Sequence, residues 1–421
     1  MKSFLRGTLL AAMAGLTLTI AGCGGGGGGS VSPTPTTIVQ PLALPGPYTV
    51  GCSNVAQDFS RVAPGEEAKD YWEGFPSASG APRYVTDLLA NPANALSVTV
   101  TAPNDGNLYG SFAGKPVQFV VITCYPTVTN NPHADYPLPT GRVVPHMQTG
   151  AEPPLFADAT GRYPVLAFSH GYGGSPISND YIGALSWFAS YGFVVVAPFH
   201  GDPRFSNLKI DDLADAVKVL SHLGDLVALQ ALRPLSMSVA LDLLLAHPQW
   251  RDHVDATQIG GFGASIGGET LMLMGGAGLT TSLGLDWTRV TVDPRLKAAV
   301  GYIPYFGQPF LPAFGRDQHG LDGVTLPYLA ISGTADTTAP LAVTQQGIER
   351  LAGTRELVEL VGVKHGLDAA SINDIFTWSF TFLDAEVRGN PAARRQLSTM
   401  ASVAGGGDDS VVIPYNGPAP H

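Results

Sequence analysis

A serine within a glycine-rich pentapeptide is the first residue whose surroundings suggest catalysis. The pentapeptide Gly-Ala-Ser-Ile-Gly occupies residues 263–267, directly after an apolar run at residues 258–263 and before a helix candidate at residues 269–274. A serine at a sharp strand-to-helix turn projects its hydroxyl away from the sheet, and small residues two positions on either side leave room for the turn. The motif predicts Ser265 as a nucleophile, and an ordinary glycine-rich turn is the alternative interpretation.

Two further polar residues follow apolar strand candidates later in the chain. Asp336 comes soon after residues 328–332, and His365 comes soon after residues 357–361. The chain order Ser, Asp, His is one of the known orders of a catalytic triad. An imidazole can take the serine proton and return it to a leaving group, while a carboxylate fixes the imidazole tautomer. We predict His365 as the general base and Asp336 as the residue that orients it.

The segment Ser-His-Gly-Tyr-Gly-Gly at residues 169–174 follows another apolar strand candidate. A loop in this position commonly supplies one backbone N–H to an oxyanion hole, and the residue after the nucleophile supplies the second. We therefore predict the backbone amides of Tyr172 and Ile266 as the oxyanion donors. His170 is predicted to be a hydrogen-bonded residue that shapes this loop, rather than a second base.

Together these motifs resemble those of α/β-hydrolase serine esterases. The resemblance extends over residues 95–397 and includes the matching triad and oxyanion positions. The second half is most similar to bacterial lipases and cutinase-type polyester hydrolases, and the layout before the serine to platelet-activating-factor acetylhydrolases and dienelactone-hydrolase-like proteins. The resemblance implies an α/β-hydrolase fold and hydrolysis of carboxylic esters through an acyl-serine intermediate. The chain departs from the pattern at Ala264, where these esterases commonly carry His or Trp, and this bears on substrate shape.

Candidate substrate contacts follow the strand candidate at residues 296–302. Tyr305 and Phe306 lie where polyester hydrolases often carry an aromatic residue that stacks on the acyl group, and core packing is the alternative. His200 and Asp202 offer two metal-ligand types without a third partner, so we predict no metal and no other cofactor. The expected substrates are short-chain or aromatic esters and polyesters. A lipase or phospholipid acyl hydrolase is the alternative, and a non-catalytic surface lipoprotein that binds ligands is the rival from another class.

The surrounding sequence predicts an α/β fold in which a mostly parallel central sheet has helices on both faces. Short apolar strand candidates alternate with helix candidates from residue 165 onward, after two leading strands that we expect to be antiparallel. We expect Pro234 to break the helical stretch at residues 210–247. The strand candidates are residues 96–101, 117–122, 165–168, 193–198, 258–263, 296–302, 328–332 and 357–361, and further helix candidates are residues 179–191 and 372–383.

The N-terminal segment has the layout of a bacterial export signal. Residues 1–22 contain two basic residues ahead of an apolar run that is shorter than a membrane-spanning helix. The run ends in Ile-Ala-Gly-Cys, which resembles the lipoprotein cleavage box and implies lipidation of Cys23 and anchoring to the cell envelope; simple secretion is the alternative. We predict a flexible tether at residues 23–47, a catalytic domain at residues 48–400 and a loosely held tail at residues 401–421. Residues 210–250 are expected to form a helical insertion or cap-like segment.

Composition restricts the remaining possibilities. The chain has 421 residues, of which 45% are hydrophobic, and a formal net charge of −11. This hydrophobic content excludes disorder of the whole chain, and the acidic balance argues against binding to nucleic acid. With Cys23 assigned to lipid, Cys52 and Cys124 remain, and an oxidising compartment favours a disulfide between them over two free thiols.

Overall fold

A large, mostly parallel sheet organises the chain. The computed structural model describes residues 35–53, 96–138, 141–148, 152–178, 181–202 and 222–418; the predicted signal and Cys23 lie outside these ranges. In chain order, the sheet strands are Thr49–Ser53 (β1), Leu96–Thr101 (β2), Pro116–Thr127 (β3), Met147–Gln148 (β4), Tyr163–Ser169 (β5), Val194–Pro198 (β6), Val254–Ala264 (β7), Leu296–Tyr302 (β8), Tyr328–Gly333 (β9), Arg355–Leu360 (β10) and Asp409–Ile413 (β11).

The order of the strands creates a switch point in the middle of the sheet. The spatial order is β11-β10-β9-β8-β7-β5-β6-β3-β1-β4, with β2 paired to β3, and the six neighbouring strands from β10 to β6 are parallel. The chain passes from β5 to β6 on one side and then returns to β7 on the other. Connections that leave β5 and β7 therefore diverge, and the crevice between them, at the carboxyl ends of the strands, is where open α/β sheets bind ligands.

Helices cover both faces of this sheet, as the sequence predicts. Alternate residues of β5 enter opposite cores: Val165 and Ala167 pack in one, Leu166 and Phe168 in the other. The helices are Gly106–Tyr109 (α1), Tyr181–Ser190 (α2), Leu223–Ala246 (α3), Ile266–Met274 (α4), Leu341–Arg350 (α5), Ile372–Glu386 (α6) and Pro391–Leu397 (α7). Helices α2, α6 and α7 cover one face, and α3, α4 and α5 cover the other. The leading strands β2 and β3 are antiparallel, as expected.

Helix α3 differs from its prediction in two respects. It continues through Pro234, although proline removes one helical hydrogen bond, because every residue from Leu226 to Pro234 is buried against the sheet and neighbouring helices. The same packing makes α3 part of the layer that covers the sheet; residues 210–221 of the predicted insertion or cap-like segment lie outside the described ranges. Among the described helices, α3 alone is long and apolar enough to cross a membrane, but 72% of its most apolar window is buried inside the protein.

Both ends of the predicted catalytic domain extend further than the sequence indicated. Thr37–Val39 lies in the predicted tether, but it forms a strand that pairs with Met400–Val403. The N–H of Leu42 donates to Thr377 Oγ1 at 3.0 Å, which fixes the same segment to α6. Strand β11 lies in the predicted loose tail, yet it pairs antiparallel with β10 and completes one edge of the sheet. Both segments are held by backbone hydrogen bonds to neighbouring strands, and their sequences have little apolar periodicity that would predict strands.

Short strand pairs and a disulfide complete the architecture. Cys52 and Cys124 are opposite each other on β1 and β3, with Cα atoms 4.1 Å apart, and their sulfurs are bonded. The bond joins two neighbouring antiparallel strands that are distant in sequence. The small antiparallel pairs are Tyr136–Pro137 with Val143–Val144, Gly278–Thr280 with Trp287–Arg289, and Gly307–Gln308 with Leu311–Pro312, and the 3-10 helices are Gly110–Phe112, Arg251–His253 and Arg316–Leu321.

Candidate active site at the sheet switch point

Ser265 lies in a strained turn between β7 and α4. Its φ of 54° and ψ of −122° place a non-glycine residue in the left-handed half of backbone space. The flanking glycines permit the turn because a Cβ on Gly267 would lie 2.0 Å from the carbonyl oxygen of Ser169, and one on Gly263 would lie 2.2 Å from that of Gly267. The close approach of three backbone segments therefore requires the two glycines and presents Ser265 at the switch point.

Ser265, His365 and Asp336 form a continuous hydrogen-bonded chain. The Nε2 atom of His365 lies 2.9 Å from Ser265 Oγ, and its Nδ1 atom lies 2.8 Å from Asp336 Oδ2. An ionised carboxylate only accepts hydrogen bonds, so Nδ1 carries the imidazole proton and Nε2 is left to accept the serine proton. The Asp336 side chain is fully buried, whereas that of His365 is 26% exposed. The structure thus brings together the three residues that the sequence predicts as a triad, at distances suited to proton transfer.

The loops that carry Asp336 and His365 are bound to each other and to the sheet. The N–H of Ala335 donates to the carbonyl of Val363, which joins the loop after β9 to the loop after β10. The second carboxylate oxygen of Asp336 accepts two backbone N–H groups at 2.8 Å each, from residues 338 and 339. On the other side of His365, Tyr302 Oη donates to the carbonyl of Gly366 at 2.7 Å. Hydrogen bonds therefore fix both the Asp336 carboxylate and the loop that carries His365.

Ser265 lies between the start of α4 and the loop after β5. Ile266 is the first residue of α4, so its N–H has no carbonyl acceptor one turn earlier within the helix. The loop after β5 approaches from the other side, since a Cβ on Gly171 would lie 3.7 Å from the Cβ of Ser265. In that loop the N–H of Gly171 donates to Tyr181 Oη at 3.1 Å, and that of Gly173 donates to Asp202 Oδ2 at 2.9 Å. The amide of Tyr172 lies between these two.

His170 is a buried, neutral residue of the same loop. Burial, followed by the nearby charge of Arg233, lowers its pKa to about 3. Its Nδ1–H donates to the carbonyl of Gly171 at 2.8 Å, and its Nε2 accepts the N–H of His200 at 3.2 Å. Both ring nitrogens are occupied by the backbone, and these contacts are those of a residue that shapes the loop.

A buried ion pair beside this loop is absent from the sequence-based prediction. Arg233 of α3 binds Asp202 through two hydrogen bonds, from Nε at 3.0 Å and from Nη2 at 2.5 Å. The remaining hydrogen bonds of the guanidinium reach the carbonyls of His170 and Gly171. His200, which offers metal-ligand types together with Asp202 in the sequence, instead lies 2.9 Å from Ser169 Oγ through Nε2. The one available signal was that Arg233 is the only Lys or Arg in the sequence of α3.

A second unpredicted feature is a buried carboxyl group one helical turn after the nucleophile. Glu269 is fully buried in α4, and burial raises its pKa to about 8. Its Oε1 accepts a hydrogen bond from Gln230 at 2.8 Å, while Oε2 has no partner among the described residues. At neutral pH the side chain is therefore mostly protonated and adds no full negative charge beneath the serine.

The two predicted substrate contacts differ in how deeply their side chains are buried. The N–H of Tyr305 donates to the carbonyl of Ser265 at 3.0 Å, and its side chain is half-buried against the core that contains α4. Phe306 is fully buried, with its ring centroid 5.1 Å from that of Phe314 and 6.3 Å from that of Tyr328. The prediction of Phe306 as a substrate contact is therefore corrected: it is a core residue, and Tyr305 remains the candidate.

Neither metal coordination nor sequence similarity adds a further identification. Across the ranges that the structure describes, no group of three or more His, Cys, Asp or Glu residues is placed to hold a metal ion. No protein-family model matches the chain, and no curated protein matches it.

Proposed function

We propose that this protein is a serine hydrolase with an α/β-hydrolase fold that cleaves carboxylic esters through an acyl-enzyme intermediate. The observation that carries the proposal is the hydrogen-bonded chain from Ser265 through His365 to Asp336. It lies at the switch point of a mostly parallel sheet, beside the first residue of a helix and the glycine-rich loop after β5. Nucleophile, base, orienting acid and oxyanion donors are the parts that acyl transfer by serine requires.

Each step of the proposed reaction has a residue to carry it. Ser265 Oγ attacks the ester carbonyl carbon while His365 Nε2 takes the hydroxyl proton, and Asp336 stabilises the resulting imidazolium. The N–H groups of Ile266 and Tyr172 are the proposed donors to the oxyanion of the tetrahedral intermediate. His365 then gives the proton to the leaving alkoxide, and the C–O bond to the alcohol breaks. A water molecule then gives a proton to His365 and attacks the acyl carbon. The bond between that carbon and Ser265 Oγ breaks, the carboxylic acid leaves, and His365 returns the proton to Ser265.

The proposed substrates are short-chain or aromatic esters, including polyesters. Tyr305 is the candidate contact for this choice, because its backbone binds the nucleophile turn and the exposed part of its ring would pack against a small acyl or aryl group. A long-chain lipid or phospholipid substrate is the alternative, and acyl-chain preference distinguishes the two. We also propose, from the leader sequence alone, that the protein is exported and anchored to the cell envelope through a lipid on Cys23. Globomycin treatment should then lead to accumulation of a larger precursor, and an unchanged precursor size and membrane partition would contradict the anchor.

Hydrolysis of p-nitrophenyl esters from acetate to palmitate tests mechanism and substrate class together. We expect turnover of short chains that is lost in Ser265→Ala and in His365→Ala. The matched control is His319→Ala, because His319 forms an exposed His–Asp pair with Asp322 at 2.7 Å and should leave turnover unchanged. Preference for long chains would support the lipase alternative. Absence of turnover at every chain length in folded protein would contradict ester hydrolysis and favour a non-catalytic binding role.

A further inference from the structure

The Arg233–Asp202 pair is almost completely excluded from solvent. The side chains are 1% and 0% exposed, and the two hydrogen bonds between guanidinium and carboxylate make the pair bidentate. Burying two charges is unfavourable unless their remaining hydrogen-bonding groups are also satisfied. Here backbone groups of the loop after β5 form those hydrogen bonds, so the ion pair and the loop stabilise each other.

Three consecutive peptide units of that loop are bound by the ion pair. Arg233 Nη1 donates to the carbonyl of His170 at 2.7 Å, and Nη2 donates to the carbonyl of Gly171 at 3.2 Å. Asp202 Oδ2 accepts the N–H of Gly173 at 2.9 Å. The loop is thus held through backbone groups, by contacts that a change of loop conformation would break.

The geometry of the peptide bond links these contacts to Ser265. In a trans peptide, the carbonyl of one residue and the N–H of the next point in opposite directions. Arg233 and the Nδ1–H of His170 both donate to the carbonyl of Gly171, so the N–H of Tyr172 points in the opposite direction within the same peptide plane. Gly171 itself is beside Ser265, as the 3.7 Å separation from a Cβ built on Gly171 shows. The orientation of the Tyr172 amide relative to the nucleophile therefore depends on Arg233 together with His170.

We propose that Arg233, fixed by Asp202, is a positioning residue that sets the Tyr172 N–H in the direction needed to stabilise the oxyanion. This inference rests on the proposed function. Arg233 touches neither substrate nor reacting atoms; it acts through the peptide unit between residues 171 and 172. An oxyanion donor is fully used only when negative charge develops on the carbonyl oxygen, so disorienting it slows the chemical step more than it weakens substrate binding.

Two variants separate this role from general stability. Arg233→Lys keeps the positive charge but cannot bind both carbonyls and the carboxylate through a planar fork. Arg233→Met combined with Asp202→Asn removes both charges, so that no unpaired charge stays buried, and keeps a side-chain oxygen for the N–H of Gly173. The control is Arg295→Lys, because Arg295 forms a similar bidentate pair with Asp293. This pair directly precedes β8, at the amino ends of the parallel strands, whereas the site lies at their carboxyl ends.

The measurements are kcat and KM on p-nitrophenyl acetate and the affinity for a trifluoromethyl ketone, which adds to the serine and places an oxyanion in the same site. We expect kcat to fall about 100-fold in both Arg233 variants, with KM changed less than about threefold and ketone affinity reduced in parallel with kcat. The control should match the wild type. Folded Arg233 variants that keep wild-type kcat and ketone affinity would overturn the positioning role alone. A wild-type protein that neither hydrolyses the ester nor binds the ketone would overturn the proposed function and this inference with it.

Discussion

Replacing Glu269 by Gln should make the protein more stable at neutral pH. The folded protein holds this carboxyl group at a pKa of about 8, against an ordinary value of 4.5, because burial disfavours the carboxylate. When the chain unfolds, the group ionises in water at any pH above 4.5. Between pH 4.5 and pH 8 the unfolded state therefore binds fewer protons than the folded state. The contribution of Glu269 to the free energy of unfolding is highest below pH 4.5 and falls as the pH rises toward 8.

The size of the effect follows from the two pKa values. One pKa unit corresponds to about 1.4 kcal/mol, so Glu269 lowers the free energy of unfolding by about 3 kcal/mol between pH 5 and pH 7. Gln has nearly the same shape, does not ionise, and keeps an oxygen that can accept the hydrogen bond from Gln230. The variant should match the wild type near pH 4.5 and exceed it by about 3 kcal/mol at pH 7.

Urea denaturation at pH 5, 6, 7 and 8 tests this prediction. The quantity of interest is the difference in unfolding free energy between Glu269→Gln and the wild type, because other buried acids, such as Glu356, change the stability of both proteins with pH in the same way. Glu349→Gln is the matched control, since Glu349 is exposed on α5. A difference that is constant across this pH range would refute the assignment of a protonated, buried Glu269.

Three further predictions concern the disulfide and the residues around the triad. Reducing the bond between Cys52 and Cys124, which are 72 residues apart, should lower the unfolding free energy by about 4 kcal/mol, measured by urea denaturation with and without reductant. Asp336→Asn should reduce kcat on p-nitrophenyl acetate about 10⁴-fold, because an amide favours the wrong imidazole tautomer, and a reduction below tenfold would contradict its role. Tyr302→Phe removes the hydrogen bond to the Gly366 carbonyl beside the base, so it should lower the free energy of unfolding by about 1 kcal/mol and lower kcat more than it changes KM. Equal changes in kcat and KM would contradict this.

The triad positions could be proposed from sequence because each depends on local patterns. Ser265 follows a buried strand within a glycine-rich turn, and Asp336 and His365 each follow a later buried strand. In a parallel sheet the carboxyl ends of neighbouring strands share one edge, so residues that follow them gather there regardless of their distance in sequence. Local periodicity and strand order together were therefore sufficient to expect these three residues at one site.

The buried charges around the site could not be found in the same way. Arg233 and Asp202 are 31 residues apart, on a helix and a loop, and their pairing depends on how α3 packs against the sheet. Glu269 has the sequence signature of an ordinary acidic residue in the first turn of a helix. Only the packing of α3 against α4 shows that its carboxyl group is buried against Gln230.

Tertiary contacts also explain the errors in secondary structure. Pro234 is a strong local signal for a helix end, but burial of the surrounding turns keeps α3 continuous. Thr37–Val39 and β11 are short, and several of their residues are only partly buried, so their sequences lack the apolar runs that mark the central strands. Their backbone hydrogen bonds to Met400–Val403 and β10 exist only once the rest of the fold is in place.

Covalent labelling with a fluorophosphonate tests the central claim most directly. The probe phosphonylates a serine only when a base activates its hydroxyl, so its position reports on the whole hydrogen-bonded chain from Ser265 to Asp336. We predict one added phosphonyl group on the peptide that contains Ser265, none in Ser265→Ala and greatly slowed labelling in His365→Ala. A folded wild-type protein that stays unlabelled, or a Ser265→Ala variant labelled as fast as the wild type, would contradict it.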